Sequence, residues 1–231
     1  MEKPHGSESV YRCERKFATR DLTRKDVEHL IRHHPAVFAQ RYSPRWVNNC
    51  YLDSHRMDAY WENVDGVMNR VKVRVRWYGA LFGDIPHSSL EFKIKKGSVG
   101  RKDQYRLGAF KLNNTFDHET LKVLFAKSQL PTSVQLHLQC MEPVLMNRYR
   151  RSYLESFDRK WRLTVDTDLQ YFAVWPNRNT FCQTVRDQEL VVLELKHSPA
   201  DDEQASTITR FLPLHLTRNS KYVSGIAQAY A

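Results

Sequence analysis

Cysteine is scarce: Cys13, Cys50, Cys140 and Cys182 are the whole complement, and no two form a CxxC pair. That spacing excludes the usual structural zinc sites. A disulfide framework is not needed in a chain of 231 residues, and scattered thiols fit a reducing compartment. No apolar run approaches the ~18 residues of a membrane span. The opening MEKPHGSESV has no hydrophobic region of the signal-peptide kind, so neither span nor leader is expected. No linker, repeat or low-complexity stretch divides the chain. Acidic charge is also in deficit, with 26 Asp and Glu against 36 Lys and Arg and a net charge of +10. This imbalance points to a polyanionic partner: nucleic acid, an anionic membrane surface or a phosphate-rich small molecule. Composition does not choose among them. What is present, 41% hydrophobic and 12% aromatic residues, can build a core and argues against wholesale disorder.

Residues 1–9 read as a flexible N-terminus, and 10–231 as a single domain. YRCERKFAT reads as a strand, and TRKDVEHLIRHH as a helix capped by Thr23 with Val27, Leu30 and Ile31 on one face. WVNNCYLDS, RVKVRVRWYG and SLEFKIKKG follow as strands, with MDAYWENVDG as a short helix or turn. HETLKVLFAKSQL is amphipathic, with Leu121, Leu124 and Phe125 inward. PVLMNRYRRSYLES, KWRLTVDTDLQYFA and ELVVLELKHS repeat the strand grammar. ADDEQASTITRFL and NSKYVSGIAQAYA are short helical segments. About eight strands with few intervening helices predict an α+β fold built on a closed antiparallel β-barrel with flanking helices.

In VKVRVRWYG, Val71, Val73 and Val75 alternate with Lys72, Arg74 and Arg76. An extended strand sends these to opposite faces, giving one apolar face and one cationic face. Like charges side by side are destabilising without compensation. Other strands do the same. Glu14 and Lys16 share a face with Arg12 beside them, and so do Glu91, Lys93 and Lys95. Further sets are Tyr149, Arg151 and Tyr153; Arg162, Thr164, Asp166 and Asp168; and Glu194 and Lys196. Taken singly, each is the solvent face of a half-polar sheet. Taken together, with so little Ser, Asn or Gln among them, they suit a barrel closed with its charges inward. Buried charge is tolerated only when paired or ligand-bound. A polyphosphate chain with a divalent metal satisfies both signs, because guanidinium groups clamp phosphate oxygens and carboxylates hold Mg²⁺ or Mn²⁺.

The motifs ERKF, RWYG (Arg76–Gly79, preceded by Arg74), EFK, Tyr149-x-Arg151-x-Tyr153, Arg162-x-Thr164-x-Asp166, Glu194-Leu195-Lys196 and Ser220-Lys221-Tyr222 run in one order along the chain. In that order it resembles the triphosphate tunnel metalloenzymes (the CYTH-like superfamily), and within them the polyphosphate-polymerase (VTC) domain, from about residue 10 to 229. The resemblance implies that Lys16, Arg74, Arg76 and Lys93 line a tunnel and grip the triphosphate or growing chain. It implies that Arg151 and Arg162 contact phosphates from the opposite wall, and that Lys196 contacts phosphate beside Glu194. Glu194 would be the principal metal ligand and Glu14 a second, although Glu14 pairing with a neighbouring cation explains it equally well. Arg12, Lys72, Lys102, Ser220 and Lys221 would bind substrate, with Arg106 the alternative to Lys102. Hydrolases of the superfamily begin E-x-E-x-K, whereas this chain has Arg12, Glu14 and Lys16; losing the first glutamate removes metal-binding capacity and favours transfer between phosphates over hydrolysis.

The resemblance therefore implies a polyphosphate polymerase-like phosphotransferase using ATP, polyphosphate or triphosphate and Mn²⁺ or Mg²⁺. A metal-dependent triphosphatase and a non-catalytic polyphosphate or nucleotide sensor are the alternatives. No nucleic-acid signature accompanies the aromatics Trp77, Tyr78, Tyr149 and Tyr153. A cytoplasmic location follows, with any membrane coupling left to a membrane-protein partner. His33, His34, His197, Trp46 and Trp61 read as structural or surface residues.

Overall fold

The computed structural model describes residues 11–176, 179–182 and 184–231, so the N-terminal 1–9 segment lies outside the described residues. Eleven strands are present among them: β1 (Arg12–Thr19), β2 (Ala39–Asp53), β3 (Asn69–Tyr78), β4 (Gly83–Ile85), β5 (Ser88–Lys96), β6 (Val99–Leu107), β7 (Phe110–Leu112), β8 (Glu142–Glu155), β9 (Arg162–Ala173), β10 (Val185–Asp187) and β11 (Val191–His197). Six α-helices accompany them: α1 (Arg24–Arg32), α2 (Asp58–Val64), α3 (His118–Lys127), α4 (Thr132–Leu138), α5 (Ala205–Thr209) and α6 (Lys221–Ala229).

The main sheet runs β10-β9-β11-β1-β6-β5-β3-β2-β8, and β8 also pairs with β9. That extra pairing closes eight antiparallel strands into a ring, the predicted barrel, with β10 appended to its edge. The ring is uneven. Between β1 and β6 only Arg12↔Gly100 and Cys13↔Val99 pair, against nine pairs between β3 and β5.

Alternation sets the two faces. On β3, Val73, Val75 and Trp77 point outward into a core with Leu90 of β5, and α3 and α4 cover it with Leu121, Leu124, Val134 and Leu138. On β11, Leu193 and Leu195 point outward with Phe17, and Val27 and Ile31 of α1 cover them. Helix α1 begins as predicted, its Thr23 hydroxyl and Asp26 carboxylate forming a reciprocal capping box. A third core lies inside the ring at one end. There Tyr222 and Ile226 of α6 pack on Tyr51, Leu145, Tyr149 and Tyr171, so α6 plugs that end of the lumen. A Cβ at Gly225 would stand 2.5 Å from Leu145 Cδ2 and 2.6 Å from Tyr171 Cδ1, so only glycine lets the helix sit this deep.

Two elements depart from the sequence expectation. GRKDQYRL, assigned to no element from the sequence, is most of β6; Arg101 and Asp103 interrupt the apolar row of Val99, Tyr105 and Leu107 on one face, so no clean period-two signal reveals it. In β9, Asp168 does not continue the face of Thr164 and Asp166. It adopts φ 54° at a register shift opposite Arg148 and Arg150, and this bulge turns Leu169 and Tyr171 toward α6 instead. His34 is buried rather than on the surface, receiving Ala36 N–H on Nδ1 and lying 2.9 Å from the Ile208 carbonyl through Nε2. No helix among the described residues is long and apolar enough to cross a membrane.

Candidate active site

The inward faces meet around a cavity of about 430 Å³. Lys72, Arg74 and Arg76 reach it from β3, Lys93 from β5, Lys102 from β6, and Arg12, Glu14 and Lys16 from β1. Arg151 comes from β8, Glu194 and Lys196 from β11, and Ser220 and Lys221 from the start of α6. Six strands and one helix end thus bring thirteen of the fourteen sequence-predicted site residues to one cavity. Arg162 is the exception. It stands at the first position of β9, where the inward face has already run out to the rim. Its Nε lies 3.3 Å from Glu155 Oε1 with 44% of the side chain exposed, and it is not among the cavity-lining residues. Expected to contact phosphate from the opposite wall, it stands instead in a rim ion pair outside the cavity lining.

Cations outnumber acids in this wall, and their counter-ions are set behind it. Glu91, fully buried, accepts from Arg74 Nη2 at 2.7 Å and Lys102 Nζ at 2.9 Å, with Arg76 Nη1 at 3.5 Å. The β3–β5 register explains this, since Arg74 and Glu91 are directly opposed. Asp166 does the same across the lumen. It receives Arg151 Nε at 2.5 Å and Nη2 at 2.6 Å, and Lys221 Nζ at 2.6 Å. Arg76 Nε also donates to Asn49 Oδ1 at 2.8 Å, and Nη2 to the Tyr149 hydroxyl at 3.1 Å. Sequence reasoning gave Glu91 and Asp166 the correct face but no role. Pairing depends on strand register, which the sequence alone did not supply.

Glu14 and Glu194 face the lumen itself, with Lys16 Nζ between them at 3.3 and 3.6 Å. Lys93 Nζ lies 3.0 Å from Glu14, and Lys196 Nζ 3.2 Å from Glu194. Burial alone would raise both carboxyls. Lys93, Lys16 and Lys196 together outweigh it at Glu14, and Lys196, Lys16, Lys221 and Arg151 together outweigh it at Glu194, so both stay well below the usual carboxylate range. Burial acts against Arg151 as well, but Asp166, with Tyr149 and Glu194, overrides it and holds the guanidinium charged.

Lys72 differs. Its Nζ donates to Ser220 Oγ at 2.8 Å, and no carboxylate partners it among the described residues. Burial, reinforced by Lys16, Lys93, Arg70 and Arg74, drives its pKa down to about 6. Burial likewise brings Lys93 down to about 8, with Glu14 opposing. At neutral pH the wall therefore holds an amine that an arriving anion would charge. The bland residues stay bland: His197 is buried against Trp161 and bonded to Asp202, Trp46 stacks under Arg148, and Trp61 is solvent-exposed.

A family model described as the VTC domain matches residues 11–230. Among curated proteins no sequence matches the chain. Solved structures share its fold at low identity. A candidate adenylate cyclase from Vibrio parahaemolyticus superposes with a TM-score of 0.51 at 8% identity, over 94% of this chain and 99% of that one. A candidate adenylyl cyclase from Hippeastrum, described as having a dominant triphosphatase activity, gives 0.51 at 11% identity over 94% and 95%. A candidate adenylate cyclase from Bacillus halodurans gives 0.50 at 10% identity over 93% and 96%.

Proposed function

The chain belongs to the VTC domain family, and from that premise we propose that it is a phosphotransferase moving the γ-phosphate of ATP onto a polyphosphate chain held in the lumen. The observation that carries this reading is the charge of the cavity. Eleven Lys and Arg side chains line it against two carboxylates, Glu14 and Glu194. An unpaired surplus of buried cations is unstable unless an anion completes it. A phosphate chain supplies closely spaced negative oxygens that match rows of guanidinium and ammonium groups.

Glu194 and Glu14 are the residues that would hold a divalent ion. Both offer only oxygen, the donor type Mg²⁺ and Mn²⁺ take, and Lys16 bridging them puts both around one space. Such an ion would neutralise charge on phosphate oxygens. The rest falls to the protein. Arg74 and Arg76, held by Glu91, and Arg151, held by Asp166, are fixed before substrate arrives, so their positive charge needs no rearrangement at the reacting phosphorus. The chain's terminal phosphate oxygen attacks the γ-phosphorus as the bond to the ADP oxygen breaks. That nucleophile is already anionic, so no residue has to remove a proton. Arg12, where the hydrolase pattern has a carboxylate, adds a cation rather than a water-activating group.

The test is incubation with ATP and Mn²⁺ or Mg²⁺, followed by gel analysis for polyphosphate. Chains are expected, with Arg74→Ala and Lys93→Ala each lowering the rate about 10²-fold or more. Free phosphate without chains would instead establish a triphosphatase, the activity described for the Hippeastrum protein. Binding without turnover would leave a sensor. Undiminished synthesis in both variants would refute the lumen as the active site. We place the activity in the cytoplasm, where any link to a membrane would run through a partner protein.

A further inference from the structure

The lumenal face does not end at the cavity. Beyond Arg151 and Arg76, at the end of the ring opposite α6, cations and aromatic rings alternate toward solvent. Lys221 Nζ lies 4.9 Å from the Tyr149 ring centroid, and the Arg151 guanidinium lies 5.1 Å from Tyr149 and 6.0 Å from Tyr153. The Arg45 guanidinium then stands 4.9 Å from Tyr153 and 4.2 Å from Tyr78. Register places these side chains together. Arg45 is the cross-strand partner of Arg151, Tyr153 is two residues on from Arg151, and Tyr78 two on from Arg76. The inner members are buried, but the outer ones are open, with Tyr78 45% exposed and Arg45 also exposed.

We propose that Tyr78, Arg45 and Tyr153 form a stacking platform for the nucleobase of a nucleoside triphosphate whose phosphates run inward to Arg76 and Arg151. The inference rests on the reading of the lumen as a phosphate site, and adds which end takes the nucleoside and what holds it. The chemistry is specific to a nucleotide. A flat π-surface and guanidinium planes at the rim lead, within one two-residue stride of about 7 Å, to arginines fixed by buried carboxylates. Bare tripolyphosphate uses only the inner part, whereas a nucleotide uses both. Tyr153 is braced from outside by Tyr42, whose ring meets it edge-on at 5.8 Å, and Arg45 Nε lies 3.4 Å from the Tyr153 hydroxyl, so the sandwich is oriented before any base arrives. Stacking reads the face of a base and not its edge, so adenine and guanine should be accepted alike.

The experiment is calorimetric titration of the whole chain with ATP, GTP and tripolyphosphate. A stacked base adds a factor of roughly 5 to 150 to affinity. ATP and GTP should both bind tighter than tripolyphosphate by an amount in that range. Tyr78→Ala should bring all three together by weakening the nucleotides, and Tyr78→Trp should restore the gap. Transferred NOEs from the ATP base protons to tyrosine ring protons, present in the wild type and reduced in Tyr78→Ala, check the contact independently of affinity. An ATP-to-tripolyphosphate ratio unchanged in Tyr78→Ala, or base protons showing no tyrosine contact, overturns the platform while leaving the lumen reading intact. Failure of the wild type to bind tripolyphosphate at all refutes the lumen reading, and the platform with it.

Discussion

Asp166→Asn removes one charge and almost no volume, and its consequence can be worked from the geometry. The carboxylate is wholly buried and accepts three donors, two from Arg151 at 2.5 and 2.6 Å and one from Lys221 at 2.6 Å. An amide keeps one acceptor oxygen and turns two N–H donors toward groups that are themselves only donors. Two buried cations then lose their nearest anion and keep only Glu194, at 3.5 Å from Arg151 and 3.8 Å from Lys221. Breaking such a pair costs about 3–5 kcal/mol, which for a domain of this size lowers Tm by roughly 6–20 °C. A phosphate ligand can take the carboxylate's place, because Arg151 and Lys221 also line the cavity. Saturating tripolyphosphate at 100 times its Kd stabilises the wild type by about 2.7 kcal/mol. The variant, with two cations released, should gain more, so its deficit should narrow to less than half. Differential scanning fluorimetry with and without tripolyphosphate measures both quantities. A drop under about 2 °C would show that Asp166 is no essential counter-ion. An equal drop with and without ligand would show that the released cations do not face the phosphate site, refuting the charge argument.

Lys72 makes the site's affinity depend on pH. Its pKa in the free protein, about 6, lies below the value it would have beside a phosphate, so binding takes up a proton and affinity falls as pH rises above 6. Titration calorimetry near pH 7 in buffers of different ionisation enthalpy should show uptake of nearly one proton more in the wild type than in Lys72→Gln; equal uptake would contradict the depressed amine. At the plug, Gly225→Ala forces a methyl against Leu145 and Tyr171, and this overpacking should cost about 1–3 kcal/mol. A thermal melt unchanged by that variant would mean that α6 is not packed closely on Leu145 of β8 and Tyr171 of β9 at the end of the lumen.

Much of this site was legible because β3 and β5 carry apolar residues on one face and charge on the other. For Val71–Trp77 and Leu90–Lys96, alternation alone separates the helix-covered face from the lumen. The signal failed where a second geometric rule intervened. Arg162 has the correct parity with Asp166, but parity says nothing about height, and at the strand end the inward face meets solvent. Asp168 follows the same alternation in sequence and is diverted by a bulge. Strand β6 lines the lumen through Lys102 and Gln104, and on its other face Arg101 and Asp103 break the row of Val99, Tyr105 and Leu107, so no clean hydrophobic period marks it. Arg45 lies in a stretch of β2 with two register shifts and a proline, where counting by twos from Tyr51 is unsafe. The roles of Glu91 and Asp166 were hidden for another reason. A buried counter-ion and a solvated acid look identical until the neighbouring strand's register is known.

Eight of the eleven cations lining the lumen fall into two groups, and the division bears on how a chain could be both held and moved. Arg74, Arg76, Arg151 and Lys221 are tied to carboxylates behind the wall, so their positions and charges are set whether or not ligand is present. Lys16, Lys93 and Lys196 find carboxylates only in Glu14 and Glu194, which share the lumen with the substrate, and Lys72 has only a hydroxyl. An incoming phosphate or metal competes for Glu14 and for Glu194, the latter also approached by Arg151 at 3.5 Å and Lys221 at 3.8 Å, and leaves Glu91 and Asp166 untouched. On the proposed reading, the fixed arginines define where the reacting phosphorus sits, since transfer requires positioning to well under an ångström. The lysines exchange carboxylate for phosphate as the chain arrives and return to carboxylate as it leaves. Release is thereby kept from being prohibitively slow, because each ammonium that loses a phosphate has a carboxylate within 4 Å to meet it. Lys72 instead returns its proton to solvent. A lumen with every cation pinned behind the wall would bind one phosphate chain and keep it; one with none pinned would not hold the γ-phosphorus in line.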